Sequence, residues 1–319
     1  MQVSPHLKIY AFPKVGRSGL GNCLFPWARA EVFARQHGGH VLAPQWNALR
    51  IGPYLRGESE KRLYGGFFKA SHHVTGFARG SILALGQRVG EKQLLASGDV
   101  LAESWRPWVV EFSGTDDLFT PLTKHRDFIR QRLWNMTAAE LRPDTTASGS
   151  GFIALHVRRG DITRQGFTER QLQQDVRQYT PSIWFASMVR RVSELPQLKD
   201  LPVILFTDGY PEEVADITSI PGVHLHKNRK AIADLLTLSN ASLLFASGHS
   251  TFSMWASFLG GMPTIYAAGK MQQEVQAGSH EACELELAEG ARIPEHVLAA
   301  TAEHHARQKG APYSLAAAP

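Results

Sequence analysis

The stretch from Gly151 to Asp161, GFIALHVRRGD, constrains the fold more than any other part of the chain. Phe152, Ile153, Ala154, Leu155 and Val157 form an apolar run of strand length. A strand that is apolar on both faces must be covered on both, which is the pattern of a parallel sheet core. The run ends abruptly in His156, Arg158, Arg159 and Asp161. Ligands of open α/β sheets bind at the carboxyl ends of strands, so this polar end is a candidate site. Alternation sends His156 and Arg158 to one side and Val157 and Arg159 to the other, so His156 and Arg158 are expected to act together. The blander reading of two adjacent arginines is a solvated loop. Arg159-Gly160-Asp161 also spells an adhesion motif, which a place at the end of a core strand disfavours.

A chain of 319 residues has room for two domains of about 150 residues each. Pro143 to Gly151, PDTTASGSG, is small, polar and free of apolar periodicity, and reads as the linker between them. The expected organisation is an N-terminal α/β domain over 1–145, a Rossmann-like domain over 151–275, and a helical segment with a frayed tail over 276–319.

Hydrophobic residues make up 43% and charged residues 20%, the balance of an ordinary globular protein. No apolar stretch approaches the roughly 18 residues of a membrane span. The start, MQVSPHLK, lacks the basic, apolar and small-residue zones of a secretory signal, so a cytoplasmic location is expected. Cys23 and Cys283 are too few and too far apart for a disulfide framework or a zinc site, and read as incidental. The net charge of +5 is spread along the chain. That suits a polyanionic small substrate, or a weak attraction to the anionic inner face of a membrane, better than a nucleic-acid partner.

The N-terminal half opens with a strand over 7–12, a glycine-rich turn over 16–22, and a helix over 24–36 carrying Phe25, Ala28, Val32 and Phe33. Strand, glycine turn and helix form a phosphate-binding arrangement, because glycines let backbone amides approach an anion at the positive helix end. Pro26 is placed in the first helical turn, where a missing N–H matters little. A dinucleotide fingerprint is the rival reading of Gly19-Leu-Gly21, but its third glycine is absent and no acid ends the next strand, 40–43. From 45 to 123 repeated glycines make the chain read as irregular, with short strands at 62–64 and 108–112 and a helix near 124–141. His72, His73, Trp105 and Trp108 are either packing residues or an acceptor surface, since aromatic faces stack on sugars as well as on cores.

In the C-terminal half, helical periodicity over 168–195 breaks at Thr180-Pro181. Strands follow at 202–208, 223–226, 241–246 and 263–266, separated by helices at 229–239 and 251–259, and the last helix starts near Pro294. This alternation predicts a parallel sheet with right-handed crossovers. His156, Arg158, Asp161, Asp208 and the turn Ser247-Gly-His-Ser-Thr-Phe-Ser253 then share its carboxyl edge. Ser250, Thr251 and Ser253 at a helix start can hold phosphate or simply cap the helix.

Together these pieces resemble the metal-independent GT-B fucosyltransferases, the group of α1,2-, α1,6- and protein O-fucosyltransferases, and most of all its bacterial α1,2 members. His156-Val-Arg-Arg-Gly-Asp161 resembles the motif His-x-Arg-Arg-x-Asp, and Phe206-Thr-Asp208 the second motif, with Gly209 where a further acid is common. Ser250-Thr-Phe-Ser253 with Trp255 and Leu259-Gly260 resembles the third, and Gly19-Leu-Gly-Asn22 an early glycine stretch of the α1,2 group. The resemblance implies two Rossmann-like domains facing a central cleft and transfer of fucose, with inversion, from GDP-fucose to a glycan hydroxyl. It further implies that Arg158 is catalytic at the β-phosphate, that His156 and Asp234 address the guanine, and that Ser250, Thr251 and Phe252 hold pyrophosphate and sugar. Arg159, Asp161 and Asp208 join the donor-binding group, and Arg17, Gly19, Gly21 and Asn22 approach the phosphates from the other domain.

Loss of a nucleoside diphosphate develops negative charge that a fixed cation stabilises. The sequence contains no Asp-x-Asp pair to hold a metal, so a guanidinium is the available substitute, and neither a metal nor another cofactor is expected. The acceptor hydroxyl must lose a proton, for which Glu169, Asp161 and His73 are the candidates. Competing readings are transfer of another 6-deoxyhexose or mannose, and a non-catalytic nucleotide- or glycan-binding protein on the same fold.

Overall fold

The computed structural model describes residues 8–16, 18–46, 64–70, 72–97, 101, 104–143, 151–163, 167–227, 230–276 and 283–310. Arg17, most of the linker and of the strand expected at 62–64, and the C-terminal tail lie outside the described residues. The chain divides into two compact units, with the change between Glu140 and Leu141.

In the first unit the elements run β1 (Ile9–Pro13), α1 (Leu20–His37), β2 (His40–Val41), α2 (Gly76–Leu85), β3 (Gln87–Gly90), α3 (Glu91–Ala96), β4 (Trp108–Phe112) and α4 (Arg126–Met136). The strands form a parallel sheet in the order β2-β1-β4-β3. Ile9, Ala11, Val110 and Phe112 pack against Ala30 and Ala34 of α1, which explains the small residues on that helix face.

α1 starts at Leu20, four residues earlier than its apolar pattern suggests, so Pro26 stands inside the helix and not in its first turn. Proline there withholds one amide from the helix ladder. The helix is buried nearly all round, so Phe25, Trp27 and Ala28 supply packing that tolerates this loss. Its two buried charges are paired. Arg29 Nε meets the Glu91 carboxylate at 2.9 and 3.0 Å, and Glu31 accepts from Trp27 Nε1 at 3.2 Å and pairs with His73 Nε2 at 2.7 Å.

The region read as irregular holds α2, β3 and α3. Gly76 opens α2 and Gly86 follows it, while Gly80 stands inside the helix. Gly86, the residue after α2, has to be glycine because a Cβ there would stand 2.7 Å from Val109 Cγ2 and 2.6 Å from the Ile82 carbonyl oxygen.

The second unit follows the expected alternation: β5 (Ile153–Val157), α5 (Gly160–Thr163), α6 (Glu169–Asp175), α7 (Ser182–Glu194), β6 (Val203–Thr207), α8 (Ala215–Thr218), β7 (Val223–Leu225), α9 (Ala231–Leu238), β8 (Leu243–Ala246), α10 (Thr251–Gly260), β9 (Thr264–Ala267), β10 (Glu284–Leu287) and α11 (Glu295–Gly310). All six strands are parallel in the order β10-β9-β8-β5-β6-β7, with β5 central and fully buried. Ile153, Leu155 and Val157 face Trp184, Phe185, Met188 and Val189 of α7 in the main core.

The sequence reading missed β10 and left 276–319 as a helical segment. Its pattern Glu-Leu-Glu-Leu has the strand period, but two acids in four residues hide it. Both acids serve backbone amides: Glu286 accepts from Gly269 and Met271, and Glu284 Oε2 accepts from Val275 and Gln276.

Burial raises the pKa of Glu284 above the usual carboxylate range, against the hydrogen bonds from Gln276, Ser257 and Val275. A folded-state pKa above the unfolded one gives stability that is present at low pH and is lost as pH rises through the folded value. Glu284→Gln keeps an acceptor for the Val275 and Gln276 amides, and its amide NH2 takes the place of the oxygen that accepts from Ser257 Oγ, so that this contact turns round with the serine hydroxyl as acceptor. Its melting temperature is therefore expected to match or exceed the parent's at pH 7, with the difference shrinking as pH falls. Glu284→Ala strands these partners and is expected to lose about 1–3 kcal/mol in urea unfolding.

Candidate functional site

The second sheet brings most of the predicted residues to its carboxyl edge. His156, one residue before the end of β5, lies in register between Phe206 of β6 and Ala246 of β8. Its buried ring bonds through Nδ1 to Ser253 Oγ at 2.6 Å and stacks on Phe252 at 5.2 Å between centroids. Burial, with the neighbouring Arg158 cation, pushes its pKa down to about 3. The imidazole is thus neutral at physiological pH and works by hydrogen bonding and stacking.

Arg158 follows directly on β5 and is half-buried. Its amide donates to Ser247 Oγ at 2.8 Å, and the same hydroxyl donates to the His156 carbonyl at 2.8 Å. One buried hydroxyl therefore fixes both sides of the residue that precedes the loop. Ser250 caps α10, its hydroxyl accepting from the Ser253 amide at 3.4 Å, so capping is the role the structure gives it. Thr251 and Phe252 are half-buried in the first turn of that helix.

Asp208, just past β6, accepts the Arg159 amide at 2.7 Å. Gly160 is required beside it: its φ is +31°, and a Cβ would lie 2.3 Å from Asp208 Oδ2. Gly209, the departure from the family's second motif, has a similar cause, because a Cβ there would stand 2.7 Å from Arg159 Cβ. Asp234 in the first turn of α9 bonds His226 Nε2 at 3.0 Å, and His226 stacks on Phe206 at 4.3 Å. His226 escaped the sequence reading although it stands directly after β7, where strand-end position alone could have marked it.

Arg159, expected in the donor-binding group, is instead an interior residue, 1% exposed. Its guanidinium donates to the carbonyls of Arg158 and Thr180 at 3.0 and 3.1 Å and to Ser182 Oγ at 2.6 Å, and lies 4.7 Å over the Tyr179 ring. Strand alternation turns it to the face opposite His156. Glu169, a candidate base, accepts the Tyr179 hydroxyl on both oxygens at 2.8 and 2.9 Å, which engages it in the same support. Asp161 lies in α5, and its side chain is outside the described residues.

The remaining candidates belong to the first unit. Gly19 caps α1 with open space where a Cβ would stand, and Gly21 and Asn22 lie in the first turn. Cys23 is not incidental: its buried thiol donates to the carbonyls of Gly16 and Ser18 at 3.4 and 3.6 Å and fastens the glycine turn to α1. His73 is paired with Glu31, both side chains 4% exposed, which makes it an interior residue of this unit. Trp105 is 93% exposed, and Trp108 is a half-buried residue of β4.

Removing the Arg159 guanidinium leaves two carbonyls and a hydroxyl without a donor in the interior. Arg159→Ala is expected to lower unfolding stability by about 3 kcal/mol, read in urea melts. Donor binding, if retained by folded protein at low temperature, would mark the residue as structural.

No family model matches the sequence, and no curated protein matches it. Solved structures do. The NodZ α1,6-fucosyltransferase soaked with GDP-fucose is similar with a TM-score of 0.52 at 19% identity, over 82% of this chain and 96% of that one. The selenomethionine form of fucosyltransferase NodZ from Bradyrhizobium gives 0.50 at 18%, over 83% and 96%. POFUT1 in complex with GDP-fucose gives 0.50 at 11%, over 83% and 99%. The α/β architecture with two parallel sheets is therefore the GT-B fold of these fucosyltransferases.

Proposed function

We propose that the protein is an inverting fucosyltransferase that moves fucose from GDP-fucose to a hydroxyl of a glycan acceptor. The observation that carries this reading is the half-buried Arg158, pinned through Ser247 beside the neutral His156 at the carboxyl edge of the second sheet. The fold is shared with fucosyltransferases whose crystals hold GDP-fucose. The motif resemblance supports the finer reading of an α1,2-type enzyme acting on a bacterial surface polysaccharide or lipopolysaccharide.

In this reading Arg158 meets the β-phosphate. As the sugar–phosphate bond breaks, the leaving diphosphate gains charge, and a fixed guanidinium stabilises that state more than the ground state. A guanidinium keeps its proton at any working pH and bonds phosphate bidentately, which supports turnover without a metal ion. His156, Asp234 and the stacked pair of His226 and Phe206 offer hydrogen-bonding and aromatic groups of the kind a guanine requires. The amides at the start of α10, with Thr251 and Phe252, favour pyrophosphate and sugar.

Arg158→Ala is expected to reduce turnover with GDP-fucose by on the order of 10²–10³-fold, the effect of one lost charge-stabilising donor. Unchanged turnover would sink the mechanism. Among GDP, UDP, dTDP, CDP and NAD, only GDP should raise the melting temperature, since binding to the folded state alone stabilises it. A chelator should leave the rate unchanged; activity lost and then restored by magnesium or manganese would overturn the metal-free step. Because His156 stays neutral down to about 3, the rate profile between pH 5 and 8 should contain no ionisation that Ser253→Ala or His156→Gln removes.

A further inference from the structure

A second group of basic side chains gathers around the turn between β8 and α10. Arg177 follows α6, His249 occupies the turn, and Lys270 follows β9, so three separate segments supply it. The turn is held tightly against both neighbours. The Gly248 amide donates to Thr180 Oγ1 at 3.0 Å, and the His249 amide to the Lys270 carbonyl at 3.2 Å. A Cβ on Gly248 would stand 2.7 Å from Lys270 Cβ and 3.1 Å from the Arg177 carbonyl oxygen. Lys270 Nζ donates to the Val176 carbonyl at 3.3 Å.

His249 has φ +46°, a left-handed conformation that is uncommon in non-glycine residues, although histidine adopts it more often than most. The turn brings the His249 imidazole within electrostatic range of Arg177 and Lys270. Burial, then Arg177 and Lys270, hold its pKa below the ordinary value, and Glu286 opposes them. Glu286 is itself committed to the Gly269 and Met271 amides. Among the described residues no carboxylate forms an ion pair with Arg177, His249 or Lys270. Arg177 is exposed and the other two are half-buried, so a solute can reach all three.

We propose that Arg177, His249 and Lys270 form a second phosphate-binding site, separate from the one around Arg158. The backbone amides of Gly248 and His249 already have partners, so recognition falls to the side chains. A planar guanidinium fork, an ammonium and an imidazole N–H match the charge and multiple acceptors of a phosphate group. The face is also different: His156 turns toward Ser253 and Phe252, whereas this group is built on the 176–180 segment, where the Arg159 guanidinium lies. The phosphate is either a free ion or a substituent of the acceptor glycan, the second source resting on the transferase reading above.

The test uses inorganic phosphate on the full chain at constant ionic strength, with chloride as control and with GDP present or absent. Phosphate should raise the melting temperature of the parent and shift the His249 ring resonances in a saturable NMR titration. The Arg177→Ala/Lys270→Ala pair should bind phosphate on the order of tenfold more weakly while its response to GDP is unchanged. Equal phosphate affinity in parent and variant, or no saturable His249 shift in the parent, would overturn the site. Should the double variant not fold, Lys270→Gln and the parent NMR titration decide the question. A rise in KM confined to phosphate-bearing acceptors, with kcat intact, marks the acceptor as source; equal KM for all acceptors marks the free ion. Absence of any GDP response would remove the transferase reading and leave the phosphate measurement standing.

Discussion

The hydroxyl of Ser247 sets the geometry on which the candidate site depends. β5 and β8 are parallel neighbours whose ladder ends at His156 and Ala246, while the pairing of β5 with β6 runs one residue further, to Val157 and Thr207. Ser247 Oγ continues the pairing by side chain, donating to the His156 carbonyl and accepting the Arg158 amide. On the other flank the Asp208 carboxylate accepts the Arg159 amide. Two successive amides are thus fixed by side chains from the ends of the two adjoining strands. The direction of the Arg158 side chain follows from the register of the sheet, as preorganised electrostatic groups require.

The same strand end shows how two identical residues divide the work. Alternation sends Arg158 and Arg159 to opposite faces, and the faces differ. On one, His156 and Phe252 leave a half-buried position with a charge near the surface. On the other, the Thr180 carbonyl, Ser182 and the Tyr179 ring enclose the guanidinium. A buried cation is tolerable only if its donors are met, and the planar fork of arginine meets two carbonyls and a hydroxyl at once. Glu169 completes the arrangement from outside by accepting the Tyr179 hydroxyl. A residue that reads as a base candidate in sequence is, in space, part of the support of the strand end.

Legibility in the sequence followed how local the cause was. β5, β6, β8 and β9 were visible because strands buried on both faces are written as unbroken apolar runs. The grouping of His156, Arg158, Asp208 and the Ser250 turn followed from topology alone, since parallel strands bring their carboxyl ends to one edge. What escaped depended on distant contacts. Gly86 ends a helix and packs on Val109, so it looked like one more break in an irregular region. Glu284 and Glu286 are strand residues because loop amides need acceptors there, which no window around them reveals. The burial of Arg159, the thiol bonds of Cys23 and the stacking of His226 on Phe206 are equally tertiary.

The protonation states at the edge follow from the same burial. A histidine beside an arginine could in principle share its positive charge, and the edge would then weaken as pH rose through neutrality. Enclosure of His156 by the sheet, Ser253 and Phe252 removes that option, because desolvation and the Arg158 cation both favour the neutral ring. Charge at this end of the strand is left to the Arg158 guanidinium, and hydrogen bonding to the neutral His156 ring. A site built this way keeps its electrostatic character across the physiological range.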